Sequence, residues 1–299
     1  MHLIVQSVLY RNAPAEVERL ARGVRTAAAR LRERLPGSRV ELALGDCSPA
    51  PVLDAAALDA LRRTSPELDA VHAEWFDANL GHGGGHARLF AAHRGSHLLV
   101  LNPDVLLAPE ALHRLAARLD GAAADGSPVG AVEMRQLPLE HPKAYDPASG
   151  ASGWLAGAGL LLPAEVFARV DGFDHAAFPM YADDVDLSWR IRAAGYALVV
   201  EPRAVGFHDK RLNEHGGWEA SELEWVSGYA AEVTMLAKWG SAELARERHE
   251  QLAASDDPRA RAAAAELDAH PERWPAARTD GAGIAEPARP GYGERRFTI

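Results

Sequence analysis

Apolar residues fall along this chain in two alternating rhythms. Residues 2–10 (HLIVQSVLY) form a short apolar run, ended by polar residues and Pro14, that predicts a buried strand. Over residues 15–35, Val17, Leu20, Val24, Ala27, Ala28 and Leu31 recur at helical spacing, and Pro36-Gly37 stops the helix. A second strand is predicted over 39–44, closed by Gly45, Asp46, Cys47, Ser48 and Pro49. Strand, helix, strand is how a nucleotide-binding α/β half begins.

The pattern continues with a helix around 55–62, a strand over 70–77, and a glycine-rich loop at 81–85 opening a helix that reaches His93. Strands follow at 97–101 and 129–134, with a helix over 109–119 between them that has Pro109 in its first turn. Residues 136–153 are polar and proline-bearing and read as loop. Beyond them come a strand over 156–162, a short helix over 164–170, a helix over 183–194 closed by Gly195, and two short strands at 196–201 and 204–208. From about Gly217 the chain turns helical, through 230–239 and a peripheral Ala/Glu/Arg-rich helix pair over 243–267. Residues 271–299, rich in Pro, Gly and charge, are expected to be loosely ordered. The expected organisation is an α/β domain over 1–215, a helical extension over 216–270 and a tail over 271–299.

Composition narrows the function classes. A chain of 299 residues is long enough to bury a sizeable core. Its formal net charge of −10 argues against nucleic-acid binding, which needs a basic face, but leaves phosphate ligands held through a metal open. Cys47 is the single cysteine, so neither an intramolecular disulfide nor a cysteine zinc site can form. The opening MHLIVQSVLY lacks the basic flank of a signal peptide and is too short to span a membrane, which predicts a cytoplasmic protein; contact with the inner face of a membrane and a homodimer stay open.

Two acidic clusters stand out. Asp104, in Asn102-Pro103-Asp104, follows the apolar run LLVL, and a carboxylate at a strand's carboxyl end lies where an open α/β sheet binds ligands. Asn-Pro-Asp is equally good turn chemistry. Asp183, Asp184 and Asp186 occupy a predicted first helical turn, where one acid is explained by capping and three are not. A carboxylate there can take a proton from an attacking hydroxyl. His82, His86, His93 and His97 lack metal-site spacing and read as solvated or loop-packing, whereas His208, after a strand, is a candidate metal ligand. Asp46 ends a strand as a sugar- or base-binding Asp does, or is a plain turn residue. Trp154 is either a sugar-stacking or a core Trp.

Taken in order, LIVQSVLYRN, GDCS, NLGHGGGH, LLVLNPDV, GWLAGAGLLLPAEVFARVDGFD and YADDVDLSWR resemble the family 2 glycosyltransferases of GT-A fold, in their nonprocessive, rhamnosyltransferase-like branch. The resemblance covers about two-thirds of the chain and implies a mixed central sheet flanked by helices. It implies that Ser7, Tyr10, Asp46, Asn79, Gly81, His86, Asn102 and Asp104 bind the donor nucleotide, with His86 standing where the family usually has Asn. It further implies that Asp104 and His208 hold Mg²⁺ or Mn²⁺, that Trp154, Gly157 and Asp183 face the acceptor, and that Asp184 is the base.

The expected activity is therefore that of an inverting hexosyltransferase moving one sugar from a UDP- or dTDP-linked donor to the hydroxyl of a glycan, a lipid-linked glycan or a natural product, as in polysaccharide biosynthesis. The rival from another class is a noncatalytic sugar-nucleotide-binding protein of the same fold. A sugar nucleotidyltransferase would need a basic glycine-rich triphosphate loop near the first strand, which LYRNAPAEVE does not supply.

Overall fold

The computed structural model describes residues 1–140, 143, 145–210, 214 and 219–279. Its eight strands are β1 (His2–Leu9), β2 (Arg39–Asp46), β3 (Ala70–Trp75), β4 (His97–Leu101), β5 (Val105–Leu107), β6 (Val129–Leu137), β7 (Gly159–Pro163) and β8 (Ala197–His208). They form one sheet in the order β3-β2-β1-β4-β7-β6-β8-β5. The first four in that order run parallel, β7 is antiparallel to both β4 and β6, and β8 is parallel to β6. The carboxyl ends of β1, β2, β3 and β4 thus share one edge, the edge on which open α/β sheets bind ligands.

Helices cover both faces, so the parallel strands read as continuous apolar runs and not as alternating ones. Leu3, Val5, Leu42, Leu44, Leu99 and Leu101 pack against α1 (Pro14–Arg34) and α4 (Ala111–Leu119). On the opposite face Leu98, Val100, Leu160 and Leu162 meet Val166 and Phe167 of α5 (Ala164–Arg169) and Leu187 and Ile191 of α6 (Asp183–Ala193). Each such fully buried side chain contributes about 1.5–3 kcal/mol. Helix α2 (Ala55–Arg63) adds Leu61 to the first face, and α3 (Gly81–Ala92) adds Leu89 to a cluster with Ile4, Ala43 and Phe76.

Several sequence expectations change. The glycines at 81–85 are not a loop ahead of a helix but the first turn and a half of α3. A Cβ on Gly83 would lie 2.9 Å from Phe173 Cβ, and one on Gly85 would lie 2.7 Å from Val8 Cγ2. Close approach to β1 and to the turn at Phe173 requires glycine there, at about 1 kcal/mol of helix propensity each. Gly83 and Gly85 form a packing seam. The strands expected at 196–201 and 204–208 are one strand, β8, with register shifts against β6, and the loop expected from Gln136 begins two residues later. The three-residue β5 was not foreseen, because its length carries no periodicity.

The C-terminal part is better packed than its composition suggests. Helices α7 (Glu222–Trp239), α8 (Ala242–Ala253) and α9 (Pro258–Ala269) enclose Val233, Leu236, Leu252, Ala263, Ala264 and Leu267. Alanine lets helices approach closely, so few large side chains are needed. Residues 271–279 are not loose: Arg273 is 2% exposed and paired with Glu266, and Arg278 N–H donates to the Lys238 carbonyl at 2.7 Å. The rest of the expected tail, 280–299, lies outside the described residues, as does the expected helix start near Gly217. Among the described residues no helix is long and apolar enough to cross a membrane.

Candidate active site

Strand register brings Asp104 and His208 together. β5 pairs antiparallel with β8 so that Val105 faces His208, and Asp209 N–H donates to the Asp104 carbonyl at 3.0 Å. Asn102, Pro103 and Asp104 are indeed a β-turn, with Val105 N–H donating to the Asn102 carbonyl at 3.2 Å, and that turn presents the Asp104 carboxylate. His208 Nε2 stands 3.2 Å from Asp104 Oδ2, and His208 Nδ1 lies 2.8 Å from Gln136 Oε1.

The amide oxygen of Gln136 accepts the Nδ1 proton, so the lone pair on Nε2 faces the Asp104 carboxylate. Two acceptors that close require a proton or a cation between them. Two ligands at about 2.1 Å from one ion, at right angles, stand about 3 Å apart, and an amide on the remote imidazole nitrogen is the usual support of a metal-bound His. The pair therefore fits a divalent cation. Among the described residues there is no group of three or more His, Cys, Asp and Glu side chains able to hold a metal. Asp104 and His208 would be two protein ligands for an ion that is otherwise held by phosphate oxygens and water, as magnesium-type ions commonly are.

The three acids of α6 face three ways. Tyr181 and Ala182 precede the helix with φ of 66° and 59°, a left-handed pair of non-glycine residues costing about 1–3 kcal/mol each. Buried Ala182, Phe178 and Val185 hold this turn in place. Asp183 Oδ2 lies 2.7 Å from His82 Nδ1. Asp184 accepts from Gly157 N–H at 3.1 Å and from Val185 N–H at 2.8 Å. Asp186 is fully buried and ion-pairs with Arg190 and with Lys238 of α7, both at 2.8 Å, while Trp239 Nε1–H donates to it at 2.8 Å. Asp183 and Asp186 share a helix face in the sequence pattern but not an environment.

The base candidate and the metal pair are tied to one short segment, Ala156 to Ala158. Asn102 N–H donates to the Ala158 carbonyl at 3.1 Å, and Gly157 N–H donates to Asp184. Ala156 N–H donates to Glu133 Oε2 at 2.6 Å, and Gln136 Nε2–H reaches Glu133 Oε1 at 3.4 Å. Glu133, 3% exposed, also pairs with Lys143, whose ammonium sits 4.7 Å from the centroid of half-buried Trp154. Burial pushes the Glu133 carboxyl up, while Lys143 and the Ala156 N–H pull it back.

The remaining expected donor residues divide. Tyr10, 46% exposed, and Asn79, whose amide oxygen accepts from Gly81 N–H at 3.1 Å, lie at the open strand-end edge. Asp46 is buried and spends its oxygens on Ser48 N–H at 2.9 Å and Val52 N–H at 2.6 Å, shaping the loop after β2. Ser7 is fully buried with its hydroxyl unpartnered. His86 is also buried; its Nδ1 accepts from the Gln6 amide at 3.1 Å, its Nε2 has no partner, and burial holds its pKa well below the ordinary value.

His82, Glu133, Gln136 and Lys143 were missed as site residues. The histidines of this stretch, expected to be solvated or loop-packing, include two with carboxylate partners: His82 meets Asp183 at 2.7 Å and His93 meets Glu74 at 2.6 Å. Glu133 did have a signal, a lone acid inside the apolar run VGAVEM.

No family model matches the chain. It is 31% identical over 103 residues to an N-acetylglucosaminyl-diphospho-decaprenol L-rhamnosyltransferase of Mycobacterium tuberculosis, which covers 27% of this chain and 33% of that protein. The chain thus spans about a third of the length of the curated relatives it matches. Among solved structures, the mannosyltransferase PcManGT of Pyrobaculum calidifontis, in complex with GDP-Man and Mn²⁺, superposes with a TM-score of 0.57 at 16% identity, over 89% of this chain and 74% of that one. S. aureus TarS with UDP-GlcNAc gives 0.52 at 14% identity over 85% and 71%. GalNAc-T7 with UDP, GalNAc and Mn²⁺ gives 0.59 at 14% identity over 80% and 48%. The chain has the mixed-sheet fold of the GT-A glycosyltransferases, and over 103 residues its sequence is similar to that of an L-rhamnosyltransferase.

Proposed function

We propose that the chain is an inverting glycosyltransferase that moves a single sugar from a nucleotide-diphosphate sugar to an acceptor hydroxyl. The observation that carries this reading is the attachment of the Asp104 turn and Asp184 to the same three residues, 156–158, at the ligand-binding edge of the sheet. A metal-side carboxylate and a base held by one segment suit a displacement with the leaving group on one side and the nucleophile on the other.

Asp104 and His208 would hold Mg²⁺ or Mn²⁺, which neutralises the charge gathering on the departing diphosphate. Gln136 keeps the imidazole in the ligating tautomer. Asp184 takes the proton of the acceptor hydroxyl while that oxygen bonds to the anomeric carbon, and the electron pair of the breaking C–O bond leaves with the nucleotide diphosphate. A single displacement inverts the anomeric centre. Trp154, with the Lys143 ammonium over its ring, is assigned to the acceptor side on the family resemblance. A UDP- or dTDP-linked donor and a glycan or lipid-linked glycan acceptor are the proposed substrates; the neighbours themselves hold GDP-Man, UDP-GlcNAc or UDP, and the rhamnosyltransferase is named for a lipid-linked glycan.

A thermal-shift screen of UDP-, dTDP- and GDP-sugars with and without Mn²⁺ tests the reading. Stabilisation by at least one donor, dependent on Mn²⁺ and lost in Asp104→Ala, is expected. Donor binding equally strong without the ion, and unchanged in Asp104→Ala, would remove the metal site from the function.

A further inference from the structure

His82 sits in the first turn of α3, a hundred residues before the acid turn, and yet its Nδ1 lies 2.7 Å from Asp183 Oδ2. The other side of the ring borders Gly157. A Cβ on Gly157 would stand 3.2 Å from His82 Cε1 and 3.5 Å from Asp184 Cβ, so the imidazole and the proposed base flank the same glycine. The ring is fixed on its edges by Phe173, with centroids 5.2 Å apart, and by His86, at 4.6 Å. Its side chain is 28% exposed, enough to meet a bound acceptor, while the Asp183 side chain is 8% exposed.

We propose that His82 is a positioning residue for the base: by engaging Asp183 it neutralises one carboxylate of the Asp183–Asp184 pair and leaves proton transfer to the other. This rests on the reading of Asp184 as the base. Two adjacent carboxylates on one helical turn repel, and each raises the protonation midpoint of the other. An imidazolium beside Asp183 offsets that repulsion and favours the ionised form of Asp184.

The surrounding charges agree. Burial lowers the proton affinity of His82, but Asp183 and, more weakly, Asp184 on α6 outweigh it, and its pKa lies above the ordinary value. On α3 the neighbour His86 is neutral, because burial drives its pKa well down. The 156–158 segment presents backbone only, and the turn after α5 presents Phe173, with His175 further along against Gly83 and Gly84. From β6, Glu133 adds negative charge near Asp184 but carries Lys143 with it.

The experiment has one readout with turnover and one without. His82→Phe keeps the ring contacts but cannot bond Asp183, and His82→Gln keeps a neutral donor. In transfer or donor hydrolysis followed from about pH 5 to about pH 9, the acidic limb of the rate profile of His82→Phe should move up by about one pH unit, and that of His82→Gln by less. A lower rate at every pH with an unmoved acidic limb would reduce His82 to a packing residue and overturn the proposal. Without substrate, the imidazole resonance of His82 in the full chain should titrate above the ordinary histidine value and drop in Asp183→Asn. An identical titration in both proteins also overturns it. If the titration drops as expected but Asp184→Asn turns over at full rate, the pairing stands and the proposal fails through the base assignment, which separates the two failures.

Discussion

Asp104 and His208 lie a hundred residues apart and meet through strand register, whereas Asp183, Asp184 and Asp186 share one helical turn and reach three separate partners. In the first case the backbone ladder between β5 and β8 sets the geometry, and the side chains only have to be of the right type. In the second, 100° of rotation per residue sends neighbouring acids in different directions, and what each one does depends on the element packed there. Asp186 locks α7 onto α6, Asp183 meets α3, and Asp184 meets the segment entering β7. Adjacent residues of one chemical type are thus a structural anchor, an ion-pair partner and a candidate base.

Asp184→Asn should break this comparison most visibly, lowering transfer by about a hundredfold to ten-thousandfold with donor affinity retained. Steady-state rates beside calorimetric donor binding give the two numbers, and Asp183→Asn should retain more activity. Equal losses from both substitutions would mean that the acids of the turn act as one unit.

Asp186→Asn belongs on the stability axis. Removing the charge leaves Arg190 without its carboxylate in a buried site, at a cost of about 3–5 kcal/mol, while Lys238 keeps its pair with Asp174. Urea denaturation should show the loss, while the pH dependence of the residual activity stays that of the unaltered chain. A stable but inactive Asp186→Asn would move this residue into the chemistry.

On the strand-built side, Gln136→Ala frees the His208 ring and should weaken Mn²⁺-dependent nucleotide binding by about tenfold to a hundredfold. Titrating Mn²⁺ against nucleotide-bound protein measures it, and unchanged affinity would show that register alone suffices to orient the imidazole.

The smallest effect concerns the His82–Asp183 pair. Its histidine has a folded pKa raised above 6.5, so its contribution to stability is fully present below that ordinary value and is lost as pH rises through the folded one. The gap in urea midpoint between the unaltered chain and His82→Phe should therefore narrow from about pH 6 to about pH 9. A gap independent of pH would mean that the pair is held by packing and not by charge.

Much of this was present in the order of residues. The apolar runs at β1, β2 and β4, the helical spacing of α1 and the two acidic clusters are local patterns, and local patterns survive without a partner. The Asn-Pro-Asp turn is readable for the same reason, since turn chemistry lies within four residues. What the sequence left open depends on contacts across the chain. Whether GHGGGH is a loop or a helix turned on the closeness of Val8 and Phe173, which only the packed sheet supplies. That Glu133 is a hub and not a misplaced surface acid turned on Lys143, Gln136 and Ala156 arriving around it. That Asp183 meets His82 while Asp186 anchors α7 had the same origin. Residue type sets what a side chain can do, and the direction in which its helix or strand aims it, fixed by burial elsewhere, decides which of those things it does.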